Sequence, residues 1–316
     1  MSNTETTTNL DHGMLKGPIL VLGAGGFIGS NLFKQLHAVR PDVYGVCRNN
    51  SRGLPLSKNF FAANLGVAAD VIVRHLKPAT IFDCVAYGGY LRQTNIREIY
   101  ETNVILKQRL LELAHLCGCT YVHGGSSSEY GSTLDAPLED SSLRPNTHYA
   151  VAKGAGAGMV HLYGKHRELR CANLRIYAVY GPGEPEADRL IPQLVKAGLR
   201  GEYPPFVHPA ITRDFVHVDD VCSAYIKAAL NLRPSQYGES FNIGTGTATS
   251  IRALAKMAQK IFGIKGDPTF EMKDREYDFR GTWCARPWKA EADLGWRSKV
   301  CLYEGLTRLW LMSQGI

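Results

Sequence analysis

The feature that most limits how this chain can fold is a glycine cluster near its start. GAGGFIG at 23–29 directly follows the apolar run 18–22 and precedes a helical pattern over 30–39. Glycine at Gly23, Gly26 and Gly29 serves three needs: a tight turn, close approach of the backbone to a pyrophosphate, and packing of the helix onto the strand. The helix N-terminus then offers amide donors and a partial positive charge to phosphate oxygens. A strand, a glycine turn and a helix in that order predict a dinucleotide-binding unit, with Gly23, Gly26, Phe27, Ile28 and Gly29 as its contacts.

The rest of the first half extends this pattern. Strand-like segments at 42–47, 80–85, 119–123 and 170–176 alternate with helical ones at 68–76, 97–116 and 149–166. Such alternation reads as a parallel sheet covered on both faces. After Tyr177 the chain is cut into short pieces by Gly181, Pro182, Gly183, Pro185, Pro192, Pro204, Pro205 and Pro209. A strand and helix return over 214–230, and 251–262 is another helix. The expectation is an α/β protein: a Rossmann, doubly wound parallel sheet with a smaller, interleaved C-terminal substrate-binding lobe. Its divisions are a mobile tail at 1–16, a dinucleotide-binding domain at 17–176 with a returning segment at 214–232, and the substrate lobe mainly at 177–316.

Composition removes several other classes. The 316 residues are 45% hydrophobic and 21% charged, enough apolar material for a sizeable core. The net charge of +7, from 36 basic and 29 acidic residues, is spread along the chain. It lacks the concentrated basic stripe of nucleic-acid binders, so no nucleic-acid partner is expected. No apolar run reaches the roughly 18 residues of a membrane span. The polar start MSNTETTTNLDH also lacks the pattern of a signal peptide. A cytoplasmic protein without a membrane partner is the reading. Of the eight cysteines, Cys47, Cys84 and Cys171 sit in apolar runs as small hydrophobes. The spacing of Cys117 and Cys119 suits neither zinc nor a redox pair, and the ten histidines show no metal spacing. No metal is expected.

Which dinucleotide is preferred depends on the end of the second strand, where an acid holds a ribose 2′-hydroxyl and an arginine a 2′-phosphate. The sequence there is VCRNNSR at 46–52, without an acid. Arg48 stands 48 − 29 = 19 residues after the last glycine, close to the expected spacing of about 20. Guanidinium is also well shaped for bidentate phosphate binding. NADP(H) is therefore the favoured cofactor and NAD(H) the alternative; a solvated loop arginine is the plainer reading of Arg48. Asn64 and Leu65 stand, by position, near an adenine edge.

Tyr149 and Lys153, in YAVAK at 149–153, lie four residues apart and hence on one helix face. A tyrosine with the ordinary pKa of about 10 is a poor proton shuttle at neutral pH. A neighbouring lysine and a positive nicotinamide ring would lower it. The cluster GSSSEYG at 125–131 follows a predicted strand and offers a hydroxyl to a substrate oxygen. Ser126 is the catalytic candidate, and Ser127, Ser128 and Tyr87 are candidate substrate contacts. His148, beside Tyr149, is a further candidate for lining the site. Arg92, after Tyr87-Gly88-Gly89-Tyr90, reads as a surface helix start, with a sugar contact as the alternative, and Trp283 and Trp296 read as packing residues.

Taken in order, these motifs resemble the extended short-chain dehydrogenase/reductase family, in its nucleotide-sugar epimerase/dehydratase branch, from Gly17 to about Trp310. The resemblance rests on GAGGFIG, the serines before Tyr130-Gly131, YAVAK, LRIYAVYGPG at 174–183, RDFVHVDDV at 213–221, FNIGTG at 241–246 and KAEADLGW at 289–296. It implies Tyr149 as acid/base, Lys153 as the group that binds the nicotinamide ribose and tunes the tyrosine, and Ser126 as partner of the reacting sugar oxygen. Arg213 and Arg275 would anchor the nucleotide or diphosphate of a nucleotide-diphosphate-sugar substrate. A homodimer is implied too, with its seam on the apolar face of 97–116; burial of that face against the sheet is the alternative. Three departures from the family pattern are visible. Ala178 replaces the usual asparagine. Ser126-Ser127-Ser128 lacks the acid pair of 4,6-dehydratases, unless Glu129 supplies the glutamate in a register one residue shorter. Arg286-Pro287 stands where a carboxylate is common.

All branches of the family begin with hydride transfer at a sugar carbon, usually C4. Arg48 favours NADP(H) and the missing dehydratase acids favour a reductase, so the expected activity is a nucleotide-sugar 4-ketoreductase. A 4-epimerase is the alternative, then a 4,6-dehydratase. A non-catalytic NAD(P)-sensing protein comes last, because Tyr149 and Lys153 are both present.

Overall fold

The computed structural model describes residues 12–48, 57–132, 135–185, 189–272 and 282–316. Strand β1 (Ile19–Leu22) consists of four buried aliphatic residues, as suits a strand covered on both faces. Its side chains alternate: Ile19 and Val21 enter one core, Leu20 and Leu22 the other. From edge to edge the sheet contains β10 (Glu239–Ile243), β6 (Cys171–Ile176), β5 (Thr120–Gly124), β4 (Thr80–Asp83), β1, β2 (Val43–Cys47) and β3 (Phe60–Ala62). Every pairing is parallel. The chain starts in the middle, runs out to one edge, then returns to build the other. This is the expected Rossmann order, and it opens a crevice at the carboxyl ends of β1 and β4, where the direction of winding switches.

Helices α1 (Phe27–His37) and α7 (Val218–Asn231) cover one face, packing Leu32, Phe33, Val221 and Tyr225 onto the sheet. Helices α2 (Leu65–Leu76), α4 (Leu106–Cys117) and α5 (His148–His166) cover the other with Ile72, Leu110 and Val160. A third core gathers Tyr180, Leu194, Phe206, Phe215, Leu254 and Leu306. It is built by β7 (Ala178–Tyr180), α6 (Leu190–Gly198), β8 (Thr212–Arg213), β9 (Phe215–His217), β11 (Thr249–Ser250), α8 (Ile251–Phe262) and α10 (Leu302–Ser313).

Three features depart from the sequence expectation. The segment Glu239–Ile243 pairs with β6 as the seventh strand, although nothing in its short pattern predicts that. Helices α9 (Trp288–Leu294) and α10 were not anticipated either. The helix expected over 97–116 is broken into α3 (Ile96–Tyr100), a π turn at Glu101–Ile105, and α4. The break centres on buried Asn103, whose Nδ2 donates to Ile99 O at 2.8 Å and to Tyr87 O at 2.6 Å. A side-chain amide that competes for the carbonyl four residues back loosens the regular ladder. Most of the apolar face of this stretch, including Leu110, Leu111, Leu113 and Ala114, is buried in the core, while Ile105 and Leu116 are exposed. Among the described residues no helix is long and apolar enough to cross a membrane.

Candidate active site

The turn after β1 has the geometry that its glycines suggest. Gly23 has φ +76°, a conformation that residues with a side chain rarely adopt, and a Cβ there would press on the Cys84 carbonyl at 3.0 Å. A Cβ on Gly29 would lie 2.2 Å from Gly23 O, so α1 can reach the turn this closely only without one. Gly26 caps α1 and contributes no side-chain hydrogen bond. The first amides of the helix therefore have no side-chain cap and face the crevice, a backbone surface that fits a pyrophosphate. Phe27 is buried beneath it, Ile28 packs against the same core, and Asn31 ties the helix to Pro182 O at 3.0 Å.

Arg48 lies at the carboxyl end of β2, 62% exposed, with Nη1 held by the Glu98 carboxylate at 2.5 Å. An acid is thus present beside the second strand after all, brought there from α3 rather than from the strand's own sequence. Asn64 and Leu65 have structural work: Asn64 Oδ1 caps α2 by accepting Gly66 N at 3.0 Å, and Leu65 is buried in the core.

Across the crevice, α5 begins at a Thr147 cap that accepts Ala150 N at 3.1 Å. Its first turn carries Tyr149, half-buried, with the Ser126 hydroxyl near its phenol. Burial pushes the phenol's pKa up, a rise that the Arg189 guanidinium and the Ser126 hydroxyl only partly offset. Lys153, one turn on, is buried; its Nζ donates to Gly124 O at 2.6 Å and lies 5.8 Å from the centre of the Tyr149 ring. The lysine is therefore set back from the phenolic oxygen rather than bonded to it. The loop after β4 passes the phenol at Gly89, where a Cβ would stand 3.5 Å from Tyr149 Oη. On this loop the Tyr87 backbone is fixed by Asn103.

The serine cluster folds into a 3-10 turn at Ser127–Tyr130, capped by Ser126. Ser126 Oγ accepts from Ser128 N at 3.2 Å and from Ser128 Oγ at 2.8 Å. Glu129 points the other way. One of its oxygens accepts Ser126 N at 2.9 Å, and the other accepts Arg175 Nε at 2.7 Å and Asn173 Nδ2 at 3.2 Å. All four residues of this inner network are confined to the capping turn and β6, so Glu129 braces the serine turn from within the core.

Two residues that the sequence did not single out as site groups join these. Trp283, expected only to pack, donates Nε1 to Ser127 Oγ at 3.2 Å, and the Arg213 guanidinium lies 5.8 Å from its ring centre. Arg189 donates to Gly89 O at 3.1 Å and sits 4.8 Å from the Tyr90 ring centre, with Arg92 5.7 Å away from the same ring. No periodicity marks Arg189, which stands in the proline-broken stretch after β7. Trp296 is buried as anticipated, donating to Asp220 O at 2.9 Å. His148 pairs with Tyr100 on the outer helix at 3.2 Å. Arg275 lies outside the described residues.

A sequence profile described as the NAD dependent epimerase/dehydratase family matches residues 19–244. The chain belongs to this family. It is 31% identical to a UDP-glucose 4-epimerase of Mycolicibacterium smegmatis over 92% of this chain and 96% of that protein. Against a putative UDP-glucose 4-epimerase of Methanocaldococcus jannaschii the identity is 28%, over 92% and 96%. Among solved structures, MoeE5 in complex with UDP-glucuronic acid and NAD is 30% identical, with a TM-score of 0.80 over 95% of this chain and 100% of that one. As a member of the epimerase/dehydratase family, the protein is an NAD(P)-dependent enzyme of nucleotide-sugar chemistry, in agreement with its ordered motifs. Two finer expectations gain no support from these relatives: the preference for NADP(H), and the 4-ketoreductase activity derived from it.

Proposed function

We propose that the protein is an NAD-dependent 4-epimerase of a UDP-linked hexose or hexuronate. The observation that carries this reading is the arrangement at the crevice: Tyr149 stands beside Ser126 and the Gly89 backbone, while Glu129 is bound within the core. A 4,6-dehydratase needs a further acid and base to remove water from the sugar, and the glutamate nearest the serines is already engaged by three donors. Whole-length likeness to UDP-glucose 4-epimerases favours epimerase over reductase. NAD is favoured over NADP because Glu98 neutralises Arg48 where a 2′-phosphate would lie, and because MoeE5, to which the chain is similar, forms its complexes with NAD.

The Gly23–Gly29 turn would hold the pyrophosphate of the cofactor, with Asn64 and Leu65 bordering its adenine. When bound, NAD would supply the redox chemistry as acceptor and donor of hydride. The protein's share is proton handling and orientation. Tyr149 Oη takes the proton of the 4-hydroxyl as C4 is oxidised and returns it on reduction, and Ser126 Oγ orients that oxygen. The Lys153 ammonium favours the phenolate and binds the ribose beside it. Tyr87, Ser127, Ser128, Trp283 and Arg213 form the sugar and nucleotide wall. Epimerisation requires the keto sugar to present both faces to the cofactor.

A homodimer is part of the proposal. On α5 the exposed residues Val151, Ala155, Gly158 and Leu162 recur at helical spacing beside exposed Ile105, a narrow apolar stripe suited to a second helix pair. Eight unpaired cysteines suit a reducing, cytoplasmic setting.

The test is to release and identify the dinucleotide of freshly purified protein, then incubate the untreated protein with UDP-glucose and UDP-glucuronate without added cofactor. Retained NAD and conversion to the 4-epimer are expected. Consumption of added NADPH with a 4-keto sugar, and no epimer, would return the reading to a reductase.

A further inference from the structure

Beneath the crevice lies a cluster of ionisable side chains that the mechanism above does not use. Asp83 ends β4 and is fully buried, as are Lys107 on α4 and Tyr121 and His123 on β5. Asp83 Oδ1 accepts Lys107 Nζ at 2.7 Å and Val85 N at 3.1 Å. Asp83 Oδ2 accepts Tyr121 Oη at 2.7 Å and is bonded to His123 Nδ1 at 2.8 Å. Lys107 Nζ also donates to Val85 O at 2.7 Å. From α7, Tyr225 Oη donates to the Asp83 carbonyl at 3.3 Å. Burying an ion pair seldom stabilises a fold, because the desolvation of both charges offsets their attraction. Such a pair beside a reactive group is therefore a candidate for setting that group's charge.

We propose that Asp83 is a positioning residue for the reaction, its buried negative charge keeping the neighbouring Lys153 an ammonium. Strand β5 makes the connection: Asp83 pairs in register with His123, and the next residue, Gly124, offers its carbonyl to Lys153 Nζ. Gly124 is also pinned against Asp83, since a Cβ there would lie 3.1 Å from Asp83 O and 2.3 Å from Tyr225 Oη. Lys153 is buried, which by itself favours the neutral amine; Asp83 is the largest opposing influence, followed by Glu129.

The remaining groups leave that charge on Asp83. Burial pushes its carboxyl up, but Lys107 and His123 outweigh burial and hold it well below the usual carboxylate range. Burial lowers His123 to about 4, so at neutral pH the ring is uncharged and does not cancel Asp83. Its Nε2 has no partner, as befits an unprotonated nitrogen whose Nδ1–H is given to Asp83. Burial, joined by the like charge of Lys153, lowers Lys107 to about 8; still an ammonium at neutral pH, it offsets part of the Asp83 charge that reaches Lys153. Burial raises the Cys84 thiol to about 12 and raises the Tyr121, Tyr225 and Cys222 groups well above their ordinary values, so none of these contributes charge. Cys171, beyond Tyr121, is likewise neutral, pushed to about 12 by burial.

This inference rests on Lys153 acting as proposed, and its test separates the two. The titration of Lys153 is followed by NMR of protein carrying ε-13C lysine, assigned by Lys153→Arg. Asp83→Asn should move that titration down by about one unit or more, and the alkaline limb of the pH–kcat profile should move the same way. Tyr121→Phe removes a hydrogen bond to the same carboxylate but no charge, and should leave Lys153 nearly unmoved. An unmoved Lys153 in folded D83N, or equal displacement in Y121F, overturns the proposal. If D83N does not fold, the wild-type protein decides: an ammonium at pH 7 is expected, and a neutral amine there would overturn it. The NMR result stands whether or not UDP sugars are turned over, so an inactive enzyme would count only against the proposed activity.

Discussion

Tyr149 begins with a phenol that neutral water leaves protonated, and its surroundings in the folded chain push it further in that direction. Two neighbours oppose that push without reversing it: the Arg189 guanidinium and the Ser126 hydroxyl. Tyr149→Phe removes the proton-carrying oxygen and keeps the ring. Turnover of a UDP sugar should fall at least about a hundredfold, as loss of a general acid/base implies, while retention of dinucleotide by purified protein is unchanged. Turnover close to wild type would take Tyr149 out of the mechanism. The Tyr149–Lys153 spacing was legible because both residues lie within one helical turn. Trp283 was not, because it meets Ser127 across 156 residues of chain. Nor was Arg189, which reaches Gly89 across 100.

At the level of elements, the strand–turn–helix at the start of the chain depends on a contact of backbone with backbone. Gly29 lies so close to Gly23 that a methyl group has nowhere to go without moving α1. Gly29→Ala should therefore lower stability by about 1–3 kcal/mol, read as a reduced melting temperature, and should abolish retention of the dinucleotide. A variant that melts normally and still retains it would show that the turn is not the pyrophosphate site. The motif made this element readable, since each glycine answers a local backbone demand. The π turn at Glu101–Ile105 was not readable. A 3.6-residue apolar repeat runs through it, and only the folded loop at Tyr87 gives the Asn103 amide a second carbonyl to bind.

At the level of the whole molecule, α5 serves two sides at once. Its inner face carries Lys153 and Val160 into the protein, while its outer face leaves Val151 and Leu162 exposed at 41% and 50%. Nothing lies within 4 Å of a Cβ built on Gly158, so the stripe is open for a second helix to approach. Gly158→Arg combined with Leu162→Glu should convert a dimer into a monomer in light scattering coupled to size-exclusion chromatography. A wild-type protein that already runs as a monomer would remove the seam altogether. In the sequence the same apolar residues of 97–116 suited either a seam or the sheet. The structure gives most of them to the sheet and leaves Ile105 and Leu116 outside.

The sequence by itself determined what local chemistry dictates. Glycines demanded by backbone geometry, apolar strands alternating with helices, and a Tyr–Lys pair on one helical face were enough to predict the Rossmann sheet and the family. Tertiary structure decided whatever depends on groups distant in the chain. It brought Glu98 to Arg48, turned Glu129 into the core, and set Trp283 against Ser127. It also gathered Asp83, Lys107 and His123 behind Lys153. The physical reason is that a side chain's charge state and hydrogen-bond partners are fixed by burial and by neighbours across the fold, and neither has a period or a spacing that a linear sequence can carry.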